Sequence, residues 1–377
     1  MAGIYIHIPF CRQACHYCNF HFSTNHSQKA AMAAAICKEI TLTSPYNESE
    51  QIDTIYFGGG TPSLLDIEEI KAILSAIYQK FKVAADAEIT LEANPDDIEP
   101  AVLQQWLQAG INRLSLGVQS FDEAELRWMN RAHNARQSLE SIEAIRAAGF
   151  NNFSADLIYG SPLLTDAALK KNASILFEKN IPHISCYALT VEEKTALHYQ
   201  IAKHQSPAVD DIKQAAQFEL LLTLMNEAGY EQYEISNFSI PGFRSRHNSS
   251  YWQGKPYYGF GPAAHSFDGD KTRKWNIAHN ALYLSSIEKN SIPAEEELLT
   301  FTQQMNEYIM ISLRTAEGIN GQVFAEKFGD AKARELQTAA GGFIREGLLQ
   351  TDDKHTKLTP KGKFLADGIA AELFFEE

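Results

Sequence analysis

The chain is short of cysteine, of positive charge and of long apolar runs, and each shortage removes a class of protein. Its 377 residues include only five cysteines: Cys11, Cys15, Cys18, Cys37 and Cys186. An odd number, three of them packed into one short stretch, makes a poor disulfide framework. A reducing compartment, the cytoplasm, and a metal or redox role are expected instead. Lys plus Arg number 33 against 47 Asp plus Glu, a formal net charge of −14. Phosphate backbones need clustered positive charge, so nucleic acid is not an expected partner. No apolar run reaches the roughly 18 residues that a transmembrane helix needs. Met1–Phe10 also lacks the charged and apolar regions of a signal peptide. Core-forming residues are not scarce: 45% of the chain is hydrophobic and 21% charged. That balance excludes a disordered chain, and the length suits about two domains.

Short β-branched runs alternate with longer helical stretches through the first 235 residues. Strands are expected at 3–8, 52–57, 88–92, 113–117, 152–158 and 183–189, and a further extended run at 230–235. Helices are expected at 28–43, 67–80, 98–108, 135–148, 166–178 and 210–228. In the second of these, Ile67, Ile70, Ile73, Leu74 and Ile77 recur at helical spacing. Such alternation implies βαβ units, a parallel sheet and a partial β/α barrel, an α/β fold. Barrels of this kind carry their chemistry at the carboxyl ends of the strands. Residues 1–235 are therefore expected as the barrel domain.

Residues 236–295 break the pattern and are expected as a connecting segment. Between 240 and 276 six basic residues stand against two acidic ones, among eight aromatic residues. This is either a barrel-closing loop or a surface for a flat anionic ligand, with rings to stack on and cations for its carboxylates. Residues 296–377 read as helices, a hairpin and a helix, a small winged-helix-like domain. It carries more acid than base, so it suits packing or interaction better than DNA reading.

The strongest local signal is Cys11-Arg12-Gln13-Ala14-Cys15-His16-Tyr17-Cys18, directly after the first strand. Three thiolates so spaced can hold three corners of a cubic iron–sulfur cluster. A zinc ion with His16, His21 or His26 as fourth ligand, or merely packed thiols, are the alternatives. Further clusters follow the later strands: Gly58-Gly59-Gly60-Thr61-Pro62, Glu92-Ala93-Asn94-Pro95, Gly117-Val118-Gln119-Ser120 with Arg131 beyond, Asp156-Leu157-Ile158-Tyr159-Gly160, and Tyr187-Ala188. Each of these five taken singly suits packing; with the cysteine run, six in series, each after a strand, do not.

The C-x3-C-x-aromatic-C spacing, with Tyr17 at the aromatic position, resembles the radical S-adenosylmethionine (SAM) superfamily. The resemblance implies a partial parallel β/α barrel of radical SAM type and a [4Fe-4S] cluster on Cys11, Cys15 and Cys18. The cluster would pass one electron to the sulfonium of SAM. The implied SAM contacts are Tyr5, Tyr17, Gly59, Gly60, Thr61, Glu92, Gln119, Arg131, Asp156 and Ala188. Together with Tyr5-Ile6-His7-Ile8-Pro9-Phe10-Cys11, the motifs resemble the oxygen-independent coproporphyrinogen III oxidases and their HemW-type relatives over nearly the whole chain.

Within that branch the features favour the HemW-type heme chaperones. The oxidases carry a further Cys where Phe20 stands here, and a longer segment before the cluster. His247-Asn248-Ser249-Ser250-Tyr251-Trp252 is similar to the HNxxYW motif tied to heme binding in HemW proteins, and it lies in the basic aromatic stretch. The resemblance implies heme as cargo, bound through His247, Asn248, Tyr251 and Trp252. The imidazole would meet the iron, the rings would pack the macrocycle, and Arg244 or Arg246 would pair with the propionates. Acceptor hemoproteins such as respiratory enzymes are the implied partners; a homodimer and a peripheral membrane association are both compatible. The competing reading is a coproporphyrinogen III oxidase performing radical SAM oxidative decarboxylation. His7 and His265 read as structural, and Cys37 and Cys186 as core residues.

Overall fold

The computed structural model describes residues 2–47 and 49–376. Six parallel strands form its centre: β1 (Ala2–Ile8), β2 (Gln51–Gly59), β3 (Lys82–Ala93), β4 (Arg113–Gln119), β5 (Phe153–Tyr159) and β6 (His183–Ala188). The sheet continues antiparallel past β6 into β8 (Asn237–Ser239) and β7 (Glu231–Gln232). On the other side β9 (Tyr257–Phe260) pairs parallel with β1. Antiparallel β10 (His265–Phe267), β11 (Thr272–Asn276) and β12 (Ala294–Leu298) follow. The order β12-β11-β10-β9-β1-β2-β3-β4-β5-β6-β8-β7 leaves the barrel open between its two ends.

The crossovers are α1 (Lys29–Leu42), α2 (Ile67–Lys80), α3 (Pro100–Ala109), α4 (Glu123–Trp128), α5 (Ala135–Ala148) and α6 (Asp166–Glu178). After β6 come α7 (Ala196–Ala202), α8 (Asp211–Glu227), α9 (Arg246–Trp252) and α10 (Asn280–Glu288). Local rules explain the boundaries. Asp66 and Glu69 form a capping box at the start of α2, and Asn134 with Gln137 does the same for α5. Gly149, at φ +101°, ends α5 in the left-handed conformation.

Period-two alternation divides the barrel strands. Ile4, Ile6 and Ile8 of β1 are buried in one core with Ile36 and Ile40 of α1 and with Ile70, Ile73, Leu74 and Ile77 of α2. The alternate positions make a polar interior that includes Thr54, Glu88, Thr90, Arg113, Ser154 and His183, all buried.

Two stretches differ from the sequence expectation. Run 230–235 is not one strand, because the Glu234 carboxylate accepts from Ser236 N at 2.9 Å and turns the chain between β7 and β8. Segment 236–295 is not a bare connection, since it supplies β8 to β12, α9 and α10. These strands are only three to five residues long and are interrupted by Gly and Pro turns, so they show no readable period. Glu295, Glu296 and Glu297 charge the outer strand β12, which discourages edge-to-edge pairing.

The C-terminal part comprises α11 (Phe301–Leu313), β13 (Ile319–Asn320), α12 (Gly321–Phe328), α13 (Asp330–Arg345), β14 (Leu349–Thr351), β15 (His355–Leu358), α14 (Pro360–Lys363) and α15 (Ala366–Glu372). Its three-stranded sheet and helices enclose a separate core around Ile309, Leu313, Phe324 and Leu358. No helix among the described residues is long and apolar enough to cross a membrane.

Candidate functional site

A cavity of about 880 Å3 opens at the carboxyl ends of the parallel strands. Cys11, Cys15 and Cys18 all line it, on the loop that leaves β1. The loop is closed on itself by Cys11 N donating to Ser23 O and Ser23 N donating to Pro9 O. It is strapped to the end of α4: Gln13 Nε2 donates to Asn130 Oδ1 at 2.7 Å, and Asn130 Nδ2 returns a bond to Ala14 O at 2.7 Å. The nearby histidines are engaged elsewhere. His16 Nδ1 meets Trp128 O, His21 Nε2 meets Asn280 Oδ1, and His26 Nε2 meets Cys11 O. Among the described residues no three His, Cys, Asp or Glu side chains come close enough to hold a single ion. A cubane spreads its thiolates over separate corners and does not require them to meet at one atom.

Burial pushes the Cys11 thiol up to about 11, with Cys18 and Cys15 adding to the rise and Thr61 opposing it. Burial raises Cys18 too. Cys11 and Cys18 are therefore protonated at neutral pH, and binding a metal group there would release protons.

Behind the thiols a polar chain links three strand ends. Arg131 Nη1 donates to Cys15 Sγ at 3.3 Å and to Tyr17 Oη at 3.4 Å. Its Nη2 donates to Asn94 Oδ1 at 2.6 Å and to Gly117 O at 2.8 Å. Asn94 Nδ2 continues to Thr61 Oγ1 at 3.2 Å. The glycine turn is required to be glycine. Gly59 has φ +106°, and a Cβ on Gly60 would lie 2.5 Å from Phe10 O. Gln119 ends β4 at φ +66°, an uncommon conformation for a residue with a Cβ.

Among the described residues, four acidic ones line the cavity, and two of them, Glu92 and Asp156, sit on β3 and β5. Glu92 accepts from Tyr56 Oη at 2.7 Å and from Gly59 N at 3.2 Å. Burial lifts it to about 7, Tyr56 pulls it down and Asp156 pushes it up. Burial likewise lifts Asp156 to about 6. Among the described residues, Asp156 Oδ1 and Arg131 Nε are buried without partners. A ligand with an ammonium group, a carboxylate and ribose hydroxyls could satisfy such orphaned atoms, and the thiols beside them suit soft iron.

Of the ten expected SAM contacts, Tyr17, Gly59, Gly60, Thr61, Glu92, Gln119, Arg131, Asp156 and Ala188 line this cavity. Tyr5 does not; it lies behind the wall, stacked on Tyr56 and bonded through its hydroxyl to His7 Nδ1 at 3.1 Å. Sequence reasoning missed Asn94 as a member of the polar chain. It also missed the wall built by the C-terminal part, where Arg314, Lys363, Phe364 and Leu365 line the cavity. The adjacent apolar pair Phe364-Leu365 after Lys361-Gly362-Lys363 was the available signal; in the structure the two are 43% and 47% exposed at the turn into α15.

The expected heme residues lie at the opposite end of the barrel. Helix α9 plugs the interior from below, its N-terminus held by Glu88, which accepts from Arg246 N at 3.2 Å and His247 N at 3.0 Å. His247 is buried. Its Nδ1 meets Thr54 Oγ1 at 2.8 Å and its Nε2 meets Tyr251 Oη at 2.9 Å, while the ring stacks on Tyr56. Burial, then the Arg113 charge, lowers it to about 3, so it is neutral. Iron coordination by His247 would require α9 to release it. Asn248 is half-buried on the same helix, and Trp252 stands apart from the barrel interior under the Arg314 guanidinium.

Residues 5–174 match the family model described as the radical SAM superfamily, and residues 299–365 the HemN C-terminal domain. The heme chaperone HemW of Bacillus subtilis (strain 168) is 33% identical over 98% of this chain and 98% of its own length. That of Lactococcus lactis subsp. lactis (strain IL1403) is 31% identical over 99% and 97%. The bovine radical S-adenosyl methionine domain-containing protein 1, mitochondrial, is 30% identical over 99% of this chain and 87% of its own. Among solved structures, coproporphyrinogen III oxidase (HemN) from Escherichia coli, a radical SAM enzyme, superposes with a TM-score of 0.85. It covers 99% of this chain and 90% of that one at 23% identity, a likeness of fold. The expected α/β radical SAM fold with a C-terminal helical domain is borne out.

Proposed function

The chain belongs to the HemW family of radical SAM proteins, and we propose that it is a heme chaperone: it binds heme and passes it to hemoproteins such as respiratory enzymes, while carrying a [4Fe-4S] cluster and SAM. The observation that carries the chaperone reading is the similarity over almost the full length to proteins named for that role. Cytoplasmic residence and heme-protein acceptors go with it.

Cys11, Cys15 and Cys18 are assigned to the cluster, which when bound would supply an electron and an open iron corner. Arg131 holds Cys15 and Tyr17 in place, and Asn94 with Gly117 holds Arg131. Gly59 and Gly60 let backbone approach the ligand closely. Glu92 and Asp156 offer carboxyl oxygens to ribose hydroxyls or an ammonium group, with Gln119, Thr61 and Ala188 completing the walls. The C-terminal residues Phe364 and Leu365 add apolar surface to the lining.

The test is anaerobic reconstitution, a hemin titration, and transfer of the bound heme to an apo-hemoprotein followed by its absorbance. Stoichiometric transfer is expected. Turnover of coproporphyrinogen III with consumption of SAM, and no transfer, would replace this reading with the oxidase.

A further inference from the structure

The barrel interior holds a guanidinium whose donors the fold leaves open. Arg113, at the start of β4, is 1% exposed, and a guanidinium stays ionised wherever it is buried. Among the described residues, its Nε and Nη2 have no hydrogen-bond partner. The Glu88 carboxylate stands 3.9 Å from Nε, but both its oxygens are committed to the start of α9, Oε2 to Arg246 N and Oε1 to His247 N. Three further side-chain atoms in this part of the barrel are buried without a partner: Thr90 Oγ1, His183 Nδ1 and Ser239 Oγ. Strand register puts them in one layer. Thr90 lies opposite Arg113, Ser154 opposite His183, and His183 opposite Ser239. The Arg113 charge reaches across it: after burial, that charge is what keeps the His183 imidazole neutral. Thr90, Ser154 and Ser239 are short, which leaves the axis of the layer to the tips of Arg113 and His183. His183 Nε2 meets Tyr233 Oη at 2.7 Å, and Tyr233 also lines a second cavity, of about 550 Å3, beside α9. With the phenol donating, Nδ1 carries the ring proton. The unpartnered acceptors Asp156 Oδ1 and Asn237 Oδ1 belong to the next layer, level with Ser185. Ser115, two residues along β4 from Arg113, lines the first cavity, so the donor layer lies beneath that cavity's floor.

We infer that this layer is a binding site for one small inorganic anion of halide size, held by Arg113, Thr90, His183 and Ser239. All four groups can donate: guanidinium N–H, two hydroxyls and an imidazole N–H. Donors gathered round one buried cation are the chemistry of an anion site, since a charge taken out of water needs a hydrogen-bonded counter-charge. A water molecule must also give away two protons, and in this layer only the hydroxyl oxygens could take them. The bound ion ties β3, β4, β6 and β8 together under the end that carries the thiols. It stands apart from the heme-chaperone reading and does not depend on it.

The full chain is melted in potassium chloride and in potassium gluconate at equal ionic strength, gluconate being too large for the layer. Chloride at about 0.2 M is expected to raise Tm by about 2–4 °C over gluconate. Thr90→Val keeps the volume and removes one donor; it is expected to lose at least about half of that rise. Arg113→Met is expected to lose all of it. Crystals of the native chain soaked in bromide are expected to show an anomalous peak within hydrogen-bond reach of Arg113 and Thr90. That measurement and Thr90→Val decide the matter if Arg113→Met does not fold. Two results overturn the site: an equal chloride effect in the native and Thr90→Val chains, or ordered water without anomalous signal between Arg113 and His183. Either would leave the heme-chaperone reading standing, since hemin transfer is measured separately.

Discussion

The cavity at the carboxyl ends of β1–β6 is walled by strand ends and tight turns and closed on one side by the C-terminal part, whereas the cavity beside α9 is walled by helix side chains and a hairpin tip. In the first, the polar groups come from consecutive parallel strands, so sheet register aligns Tyr17, Gly59, Glu92, Gln119 and Asp156 around one opening. In the second, Trp252, Phe267 and Phe328 come from separate elements, and only the packing of the C-terminal part against α9 brings their rings together. The two also differ in what is left unsatisfied. Among the described residues, the first holds orphaned polar atoms on Asp156 and Arg131 beside three thiols; the second holds rings, an indole N–H without a partner, and Lys327 without an ion pair beside the charged groups of Arg244, Asp270, Glu307 and Glu317. A parallel sheet thus sets the polar end of the first cavity from its own strand ends, and the C-terminal part completes the walls of both.

The largest effect should separate the two cavities outright. A Cys11→Ala, Cys15→Ala, Cys18→Ala triple variant is expected to lose iron and sulfide to background after anaerobic reconstitution. Its hemin affinity should stay within about threefold of native, measured by titration. Hemin binding that disappears with the cluster would show one site where two are described.

A smaller effect should come from the backbone of the first cavity. Gly60→Val places a Cβ 2.5 Å from Phe10 O, where neither partner is a flexible side-chain end. A loss of about 1–3 kcal/mol in the urea midpoint and reduced cluster loading are expected, with porphyrin titrations unchanged. Equal losses in both titrations would mean that the turn holds the whole barrel rather than the cluster end.

An effect of similar size, touching neither cavity, lies in the scaffold. Glu39 of α1 is buried and accepts from Tyr283 Oη at 2.5 Å, Asn276 Nδ2 at 2.6 Å and Gly261 N at 2.8 Å. Burial lifts it from 4.5 to about 7, against the pull of those donors. Between pH 4.5 and 7 the folded chain keeps a proton that the unfolded chain has released. The contribution of this residue therefore falls as pH rises and levels off above about 7. Glu39→Gln carries no such titration, so urea melts at pH 5 and pH 8 should shift in favour of the variant by up to about 3 kcal/mol. A gap that does not change with pH would show that Glu39 stays ionised throughout.

Much of the barrel was legible because its local rules agree with its tertiary ones. The helices at 67–80, 135–148 and 166–178 occur as their periodicity and caps imply. The chemistry-bearing motifs follow strands because that is where a parallel sheet exposes its backbone. Legibility fails where contacts are non-local. The strands β9 to β12 carry no period of their own and are held by pairing with β1 and with one another. The short helices α4 and α7 were not expected, since six or seven residues give too little pattern to read.

The order of strands and helices, the cysteine-bearing loop after β1 and the glycine turn after β2 were determined by sequence alone, because each depends on neighbours within a few residues. Which way His247 points was decided only by the tertiary structure. Thr54, Tyr56 and Glu88, distant in sequence, supply the partners that draw the imidazole into the barrel and leave Trp252 outside it. A helix of seven residues has two faces of nearly equal merit, and the packing around it chooses between them.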